Sequence, residues 1–328
     1  FGSVNWLRHT SSCQLGFYCG NRIWAGATDL NPDVRGAKVL IMAGAQIGRV
    51  HPGATGQGII IERAAKGELK VFYVNPVSPR GDCGGNFEWV PIKPGTDAAL
   101  ALAMVRWIID NKRFNKAFLE SPNEEAAKSK GEIVYTNATW LVITEKDHAR
   151  EGTFLRASDI GLGDATKYVV YSDGFKAHTD VKKAELLYSG RVKLTSGEEV
   201  EVKTVLQILY DEASSRSLEE WSSICGVPVQ TIVRMADAFT SVGRAASTYI
   251  HRGIGMHPNG EYTVWCYRAL DTLVGNYFAK GGVMGRASLT KARDYLYHVD
   301  YSGFGEPVKF GPPIDRHGAS YESTLEYW

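Results

Sequence analysis

Apolar runs and amphipathic stripes alternate along the first part of the chain. Residues 37–44 form a short, continuous apolar run that ends in glycine, which is typical of a strand buried inside a parallel sheet. Residues 55–67 have the spacing of a helix with one apolar face, and Gly67 is a stop signal. A second strand is predicted at 69–75. The three segments therefore predict a β-α-β unit of about 30 residues.

The same alternation continues to the end of the chain. Helices are predicted at 97–111, 204–213, 218–225, 228–242 and 261–275, and strands at 140–143, 167–171 and 245–251. Residues 191–203 alternate around Ser196-Gly197, which indicates a hairpin. Thr96 or Asp97 is suited to cap the helix at 97–111. Trp89, Trp107 and Trp140 are expected in the core. The pattern predicts an α/β fold around a parallel, Rossmann-like nucleotide-binding sheet.

Composition removes several classes of protein. The 328 residues are enough for two domains or one large α/β unit. A net charge of +1 gives no electrostatic footprint for nucleic acid, so no nucleic-acid partner is expected. No window approaches the ~20 apolar residues of a membrane-spanning helix. The five cysteines are scattered without a CxxC pair, which argues against a disulfide framework and an all-cysteine zinc site.

Polar and glycine-rich loops follow several of the predicted strands. In an open α/β sheet, ligands bind at the carboxyl ends of the strands, and glycines there let the backbone approach a phosphate. The residues best suited to such contacts are Gly44, Gln46, Asn75, Pro76, Gly95 and Asp97. The alternative is that these loops are simple turns. The nearest match to a dinucleotide fingerprint, Gly161-Leu-Gly163, is not followed by a convincing helix, and a Walker A loop is absent.

The start of the chain carries a second group of reactive residues. Cys13 and Cys19 offer thiolates, which are soft ligands for a transition metal. Arg8, His9 and Arg22 lie close in sequence and would lower a thiol pKa and attract an anion. The alternatives are two small buried cysteines, or a zinc site that lacks a four-ligand spacing.

One stretch of the chain resembles a known family. Residues 89–103, Trp-Val-Pro-Ile-Lys-Pro-Gly-Thr-Asp-Ala-Ala-Leu-Ala-Leu-Ala, are similar to the loop and helix at the pterin-dinucleotide site of molybdopterin oxidoreductases of the dimethyl sulfoxide reductase type. Gly226-Val-Pro228 and the 275–283 glycine block follow in the family's order. Residues 5–22 look most like the branch of tetrathionate reductase catalytic subunits. Thiosulfate, polysulfide and arsenate reductases of the same superfamily remain alternatives.

The resemblance implies a molybdenum bis(molybdopterin guanine dinucleotide) cofactor. The family places its metal ligand shortly before the first nucleotide-binding strand. Cys13 lies 33 positions ahead of Gln46 and Cys19 lies 27 ahead, and the longer spacing favours Cys13. The guanine dinucleotide would contact Gly44, Gln46, Asn75, Pro76, Gly95 and Asp97, and the second strand-end loop near the pterin would be lined by Arg252, Gly253, Gly255 and His257.

The resemblance also sets expectations for the whole protein. Residues 1–255 would form the cofactor-binding α/β domain, and 256–328 would begin the return into a second, incomplete α/β domain. The chain would be part of a larger protein whose 4Fe-4S cluster lies outside it. A membrane anchor and an iron–sulfur electron-transfer subunit would be its partners on the periplasmic side of the membrane.

The implied activity is reduction of an oxidised sulfur anion, most simply tetrathionate to thiosulfate in anaerobic respiration. Cys13 would bind the metal, while Arg8, His9 and Arg22 would attract the anion or supply protons. Two alternatives of another class remain: a non-catalytic nucleotide-binding subunit, and a nicotinamide dehydrogenase.

Overall fold

A computed structural model describes residues 10–28, 30–45, 54–79 and 85–285, with the side chains of residues 10–14, 54 and 55 outside that description. The helices are α1 (Thr10–Ala25), α2 (Ala54–Ala65), α3 (Asp97–Asp110), α4 (Lys116–Leu119), α5 (Glu124–Ser129), α6 (Val205–Ser214), α7 (Leu218–Cys225), α8 (Val229–Ser241), α9 (Arg252–Gly255) and α10 (Gly260–Val274). The strands are β1 (Leu30–Pro32), β2 (Val39–Ala43), β3 (Lys70–Val74), β4 (Phe87–Val90), β5 (Leu141–Ile143), β6 (Val169–Tyr171), β7 (Phe175–Ala177), β8 (Ser189–Lys193), β9 (Glu199–Thr204), β10 (Ala246–Ile250) and β11 (Val283–Gly285).

A parallel sheet forms the centre of the fold. Its strand order is β10-β2-β3-β4, and each neighbouring pair is parallel. All five residues of β2 and of β10 are buried, as expected where helices cover both faces of a sheet. The predicted α/β fold around a parallel sheet is confirmed.

Helices cover the two faces of this sheet. On one face, Leu40 and Met42 of β2 and Val71 of β3 pack with Ile60 and Ala64 of α2. The alternate residues of the same strands point to the other face, where α3, α8 and α10 form the larger core. The alternation follows from the two-residue period of a strand, which sends successive side chains to opposite faces.

The predicted helices and longer strands are present, with bounds shifted by one or two residues. Two elements, α1 and β4, were not predicted, and two expectations for single residues were wrong. Trp89, expected in the core, is 42% exposed because β4 is an edge strand. Thr96 occupies the N-cap position of α3, but its hydroxyl donates to the Lys93 carbonyl oxygen at 2.7 Å instead of capping the helix.

An antiparallel region lies between α5 and α6 in the sequence. Strands β5, β9 and β8 form one sheet, and β6 and β7 form the next hairpin. This region has its own apolar core, and the Trp140 and Tyr168 rings stack beside it with centroids 3.7 Å apart. The predicted division of the chain at residue 255 stays a prediction.

Candidate functional site at the carboxyl edge of the parallel sheet

The loops predicted to bind a ligand meet at one edge of the parallel sheet. Gly44 follows β2, Asn75 follows β3, the loop before Asp97 follows β4, and Arg252 follows β10. Because all four strands are parallel, their carboxyl ends lie along the same edge. The chain moves outward from β2 to β4 and then returns to β10 on the other side of β2, so a switch point lies between β2 and β10.

The two loops beside the switch point are in backbone contact. The His251 amide donates to the Ala43 carbonyl oxygen at 3.3 Å. Gly44 has φ +59°, and a Cβ there would lie 2.5 Å from the amide nitrogen of Ile254. Gly44 is therefore required for the approach of the second loop. The predicted contact of Gly44 with a cofactor does not follow from this packing and stays a prediction.

Helix α1 packs against the loop that follows β10. A Cβ on Gly16 would lie 2.4 Å from the Gly255 carbonyl oxygen, and the same oxygen would be 2.1 Å from a Cβ on Gly260. The Phe17 ring lies 5.9 Å from the ring of the buried His251. One end of α1 is thus placed beside the switch point.

The two cysteines of the predicted thiol site lie at different positions along α1. The backbone of Cys13 lies on α1 one turn before Gly16, at the i, i+3 spacing that puts two positions on one helix face. Cys19 is exposed, and so is Arg22 one turn later. The Cys13 side chain, Arg8, His9 and Gln46 lie outside the described residues.

Asn75 and Pro76 form a tight turn at the end of β3. The Asn75 side-chain oxygen accepts a hydrogen bond from the Val77 amide at 3.0 Å, and its carbonyl oxygen accepts one from the Trp89 indole at 2.9 Å. The sequence predicted Trp89 in the core, whereas its ring lies beside Asn75 at the carboxyl edge of the sheet. This position of Trp89 could have been predicted only if β4 had been recognised as an edge strand.

Asp97 is the buried carboxylate of this edge. It is the first residue of α3, and Gly95 before it has φ +76° with no atom within 4 Å of a built Cβ. Burial raises the pKa of Asp97 to about 6, while its own backbone amide and His257 act in the opposite direction. Within the described ranges Asp97 forms no ion pair with a basic side chain, so its oxygens can accept from a ligand's N–H groups.

The loop bearing Asp97 is anchored on α7. The Lys93 amide donates to the Cys225 carbonyl oxygen at 2.9 Å, and its ammonium donates to the Ser223 carbonyl oxygen at 2.8 Å. The Lys93 side chain also lies against Gly226. The Lys93 ammonium is thus bonded to the protein's own backbone, and the loop from Lys93 to Asp97 is held in place.

The loop after β10 supplies a cation and an imidazole. The Arg252 guanidinium is half-buried and donates to Nδ1 of His251 at 3.4 Å. Gly253 and His257 are exposed, and Gly255 is buried against α1. The described part of residues 10–285 contains no group of three or more His, Cys, Asp or Glu side chains that could hold a metal ion. None of the described helices is long and apolar enough to cross a bilayer.

Comparisons with known proteins find a matching family and several relatives. The profile of the family described as molybdopterin oxidoreductase matches residues 8–299. A tetrathionate reductase subunit of Archaeoglobus fulgidus is 54% identical over 328 residues, which is 100% of this chain and 29% of that protein. A selenate reductase subunit of Mesobacillus selenatarsenatis is 34% identical over 99% of this chain and 32% of that protein.

Two further comparisons extend this result. A tetrathionate reductase subunit of Salmonella typhimurium is 32% identical over 100% of this chain and 33% of that protein. Among solved structures, acetylene hydratase from Pelobacter acetylenicus has a TM-score of 0.52 at 16% identity, covering 87% of this chain and 28% of that chain. This likeness concerns the fold alone. The chain spans about a third of the length of the curated relatives it matches.

Proposed function

This chain belongs to the molybdopterin oxidoreductase family, and from that premise we propose that it is part of the catalytic subunit of a molybdenum reductase for tetrathionate. The observation that carries the proposal is the 54% identity to a tetrathionate reductase subunit over the whole chain. In the proposed reaction, two electrons cleave the central S–S bond of tetrathionate and give two thiosulfate ions. A cationic pocket would stabilise the negative charge that grows on the departing sulfur.

Family membership implies a cofactor of molybdenum and molybdopterin, and the sheet edge fits such a group. The Asp97 carboxylate is buried without a described cationic partner, and Gly95 beside it leaves open space. A carboxylate accepts from the N1–H and exocyclic amine of guanine. We therefore assign a guanine dinucleotide form of the cofactor, with its base at Asp97.

The remaining strand-end residues would hold the rest of the cofactor. When bound, the cofactor supplies the redox chemistry of molybdenum, and the protein supplies binding, orientation and electrostatics. The half-buried Arg252 guanidinium is suited to a phosphate oxygen. The other proposed contacts are Gly44, Gln46, Asn75, Pro76, Gly253, Gly255 and His257.

We assign the metal ligand to Cys13. The support is positional, because the Cys13 backbone lies one turn before Gly16, and Gly16 touches the loop that follows β10. Cys19 is exposed at a different position around the helix. Arg8 and His9 would draw the anionic substrate toward this end of α1, whereas the exposed Arg22 lies in the last turn of the helix and would act from the other end.

The electrons and the location follow from the same proposal. A 4Fe-4S cluster elsewhere in the same protein, a membrane anchor and an iron–sulfur partner subunit would deliver electrons on the periplasmic side of the membrane. Each of the three curated relatives is named as one subunit of a reductase, which supports an assembly of several subunits.

Selenate is a second candidate substrate. The selenate reductase subunit is 34% identical to this chain, and the Salmonella tetrathionate reductase subunit is 32% identical. These two identities are too similar to discriminate between selenate and tetrathionate as the substrate. The 54% identity to the Archaeoglobus protein favours tetrathionate.

The experiment uses the native protein that carries this chain, purified with its partner subunits. Molybdenum and guanine nucleotide are quantified, and reduction of tetrathionate, thiosulfate, selenate and arsenate is followed with a reduced dye as electron donor. The Cys13→Ala and Cys19→Ala variants are compared by activity and by molybdenum K-edge X-ray absorption, which counts sulfur ligands.

We expect stoichiometric molybdenum, a preference for tetrathionate, and one fewer sulfur ligand in the Cys13→Ala variant alone. Activity should be lost in the Cys13→Ala variant and retained in the Cys19→Ala variant. Absence of both molybdenum and guanine nucleotide would support a non-catalytic role instead. Full activity of Cys13→Ala would overturn the metal assignment.

A further inference from the structure

Arg268 of α10 is a fully buried cation at the junction of four elements. Its Nε donates to Oδ1 of Asn21 on α1 at 2.8 Å, and its Nη2 donates to the Leu30 carbonyl oxygen on β1 at 3.0 Å. Its Nη1 donates to Oγ1 of Thr248 on β10 at 3.1 Å and to Oδ2 of Asp271 at 2.9 Å. One guanidinium therefore connects α1, β1, β10 and α10.

Asp271 completes the charge balance of this cluster. Besides Arg268, it accepts from the Thr248 amide at 3.0 Å and from Nδ2 of Asn276 at 2.8 Å. The same Asn276 nitrogen donates to the Ala246 carbonyl oxygen at 2.6 Å. A buried ion pair with all these partners adds little net stability compared with apolar packing. A role in fixing the positions of the elements it connects therefore explains its presence better than a gain in stability does.

The surface of α1 next to α10 is shaped for close contact. A Cβ on Gly20 would lie 2.8 Å from Cβ of Val264, and the Trp265 indole donates to the Gly20 carbonyl oxygen at 3.1 Å. Small residues let two helices approach, but van der Waals contact has little direction along the helix axis. Directional hydrogen bonds do distinguish one register from the next. Two come from the indoles of Trp265 and Trp24, the latter to Oγ1 of Thr272 at 3.0 Å, and the third comes from the rigid, fully buried guanidinium of Arg268.

Asn21 is the residue of α1 that accepts the bond from Arg268. Its side chain is fully buried, and its amide group also donates to the Thr28 carbonyl oxygen at 3.1 Å. Cys13 lies eight residues before Asn21 on the same helix, about 12 Å along the axis. A shift of α1 along α10 would therefore move the Cys13 backbone by the same distance.

We propose that Arg268 is a positioning residue, which fixes the register of α1 on α10 and thereby holds the Cys13 end of α1 beside the loop that follows β10. The inference rests on the proposed function in one respect, since Cys13 is taken there as the metal ligand. Arg268 is fully buried, and its hydrogen-bond partners are protein groups. It acts through Asn21 and α1.

The first test measures α1 directly, by amide hydrogen exchange of the native protein with its cofactor. Asn21→Leu removes the acceptor for Arg268, whereas Asn21→Asp keeps an acceptor. Both variants lose the bond to Thr28, so their difference isolates the contact with Arg268. Losing a hydrogen bond to a charged donor should speed exchange of α1 amides by about tenfold or more in Asn21→Leu. Asn21→Asp should show slower α1 exchange than Asn21→Leu, because it keeps the acceptor for Arg268.

A matched control separates this effect from general loss of stability. Ile232 is fully buried on α8, which packs on α3, β2 and β10, and Ile232→Ala lowers global stability by creating a cavity. We expect no selective change of α1 exchange in that variant. Wild-type exchange of α1 in Asn21→Leu would overturn the proposal. If the leucine variant does not accumulate, Asn21→Ala makes the same comparison with a smaller side chain.

The second test reads the metal environment by molybdenum K-edge X-ray absorption. Asn21→Leu should lose part of the protein sulfur contribution, and Asn21→Asp should restore it. An unchanged sulfur count in Asn21→Leu, together with a lower count in Cys13→Ala, would overturn the positioning role. If Cys13→Ala also has the wild-type count, the proposed metal assignment fails, and α1 exchange still decides whether Arg268 fixes the helix.

Discussion

Gly44 and Gly253 are in direct backbone contact across the switch point of the sheet. The Gly253 amide donates to the Gly44 carbonyl oxygen at 3.0 Å, and a Cβ on Gly253 would lie 2.4 Å from that oxygen. Neither residue can carry a side chain without movement of the other loop. The two loops that frame the proposed cofactor site therefore hold each other in place.

A methyl group at Gly44 should disrupt this contact. The new Cβ would meet the Ile254 amide nitrogen at 2.5 Å, and φ of +59° is unfavourable for any residue with a side chain. We expect Gly44→Ala to lower the free energy of unfolding by about 2–4 kcal/mol. Urea unfolding of the wild type and the variant measures the difference.

Gly67→Ala provides the control for backbone strain alone. Gly67 has φ +74°, and a Cβ there would have no atom within 4 Å. Its loss should be confined to the strain, about 1–2 kcal/mol. Equal losses at Gly44 and Gly67 would show that the second loop moves freely, which would contradict the fixed contact.

The fold could be predicted where local pattern and tertiary environment agree. The strand at β2 is apolar throughout because helices cover both faces, and the same run reads as a buried strand in the sequence. In helix α1 the local pattern and the tertiary environment disagree, because the low helix propensity of Gly16 and Gly20 argues against a helix. In the structure those glycines are what permits close packing on α9 and α10.

The location of the candidate site could be predicted, but not its internal contacts. Strand ends and helix starts are readable from the sequence, so Gly44 and Asn75 were found at strand ends and Asp97 at the start of a helix. The burial of Asp97 depends on helices that pack over it from later in the chain. The bond between Arg268 and Asn21 joins residues 247 positions apart, and no local pattern reports it.

Asp97 should make stability depend on pH in a defined direction. Burial raises its pKa to about 6, whereas an unfolded aspartate titrates near 3.9. Between about pH 4 and 6 the folded state binds more protons than the unfolded state, so stability falls as pH rises through that range. The loss is at most about 3 kcal/mol and is complete above the folded-state pKa.

The measurement compares wild type with Asp97→Asn, both prepared without cofactor, by denaturant unfolding from pH 4 to pH 7. Asparagine cannot ionise, so the difference between the two proteins isolates the carboxyl group. Wild type should lose stability relative to the variant as pH rises, with a plateau near pH 7. A difference that is constant with pH would show that Asp97 titrates alike in both states.

Two tyrosines on α10 should respond oppositely to loss of the hydroxyl group. The Tyr267 hydroxyl is fully buried and has no hydrogen-bond partner among the described residues, whereas the Tyr262 hydroxyl donates to Oε1 of Glu212 at 2.7 Å. Burying an unsatisfied hydroxyl costs about 1–3 kcal/mol. We therefore expect Tyr267→Phe to raise the free energy of unfolding by about 1 kcal/mol and Tyr262→Phe to lower it by a similar amount. Denaturant unfolding at constant pH measures both. A loss of stability in Tyr267→Phe would mean that its hydroxyl is bonded in solution, and an ordered water is the smallest partner that could satisfy it.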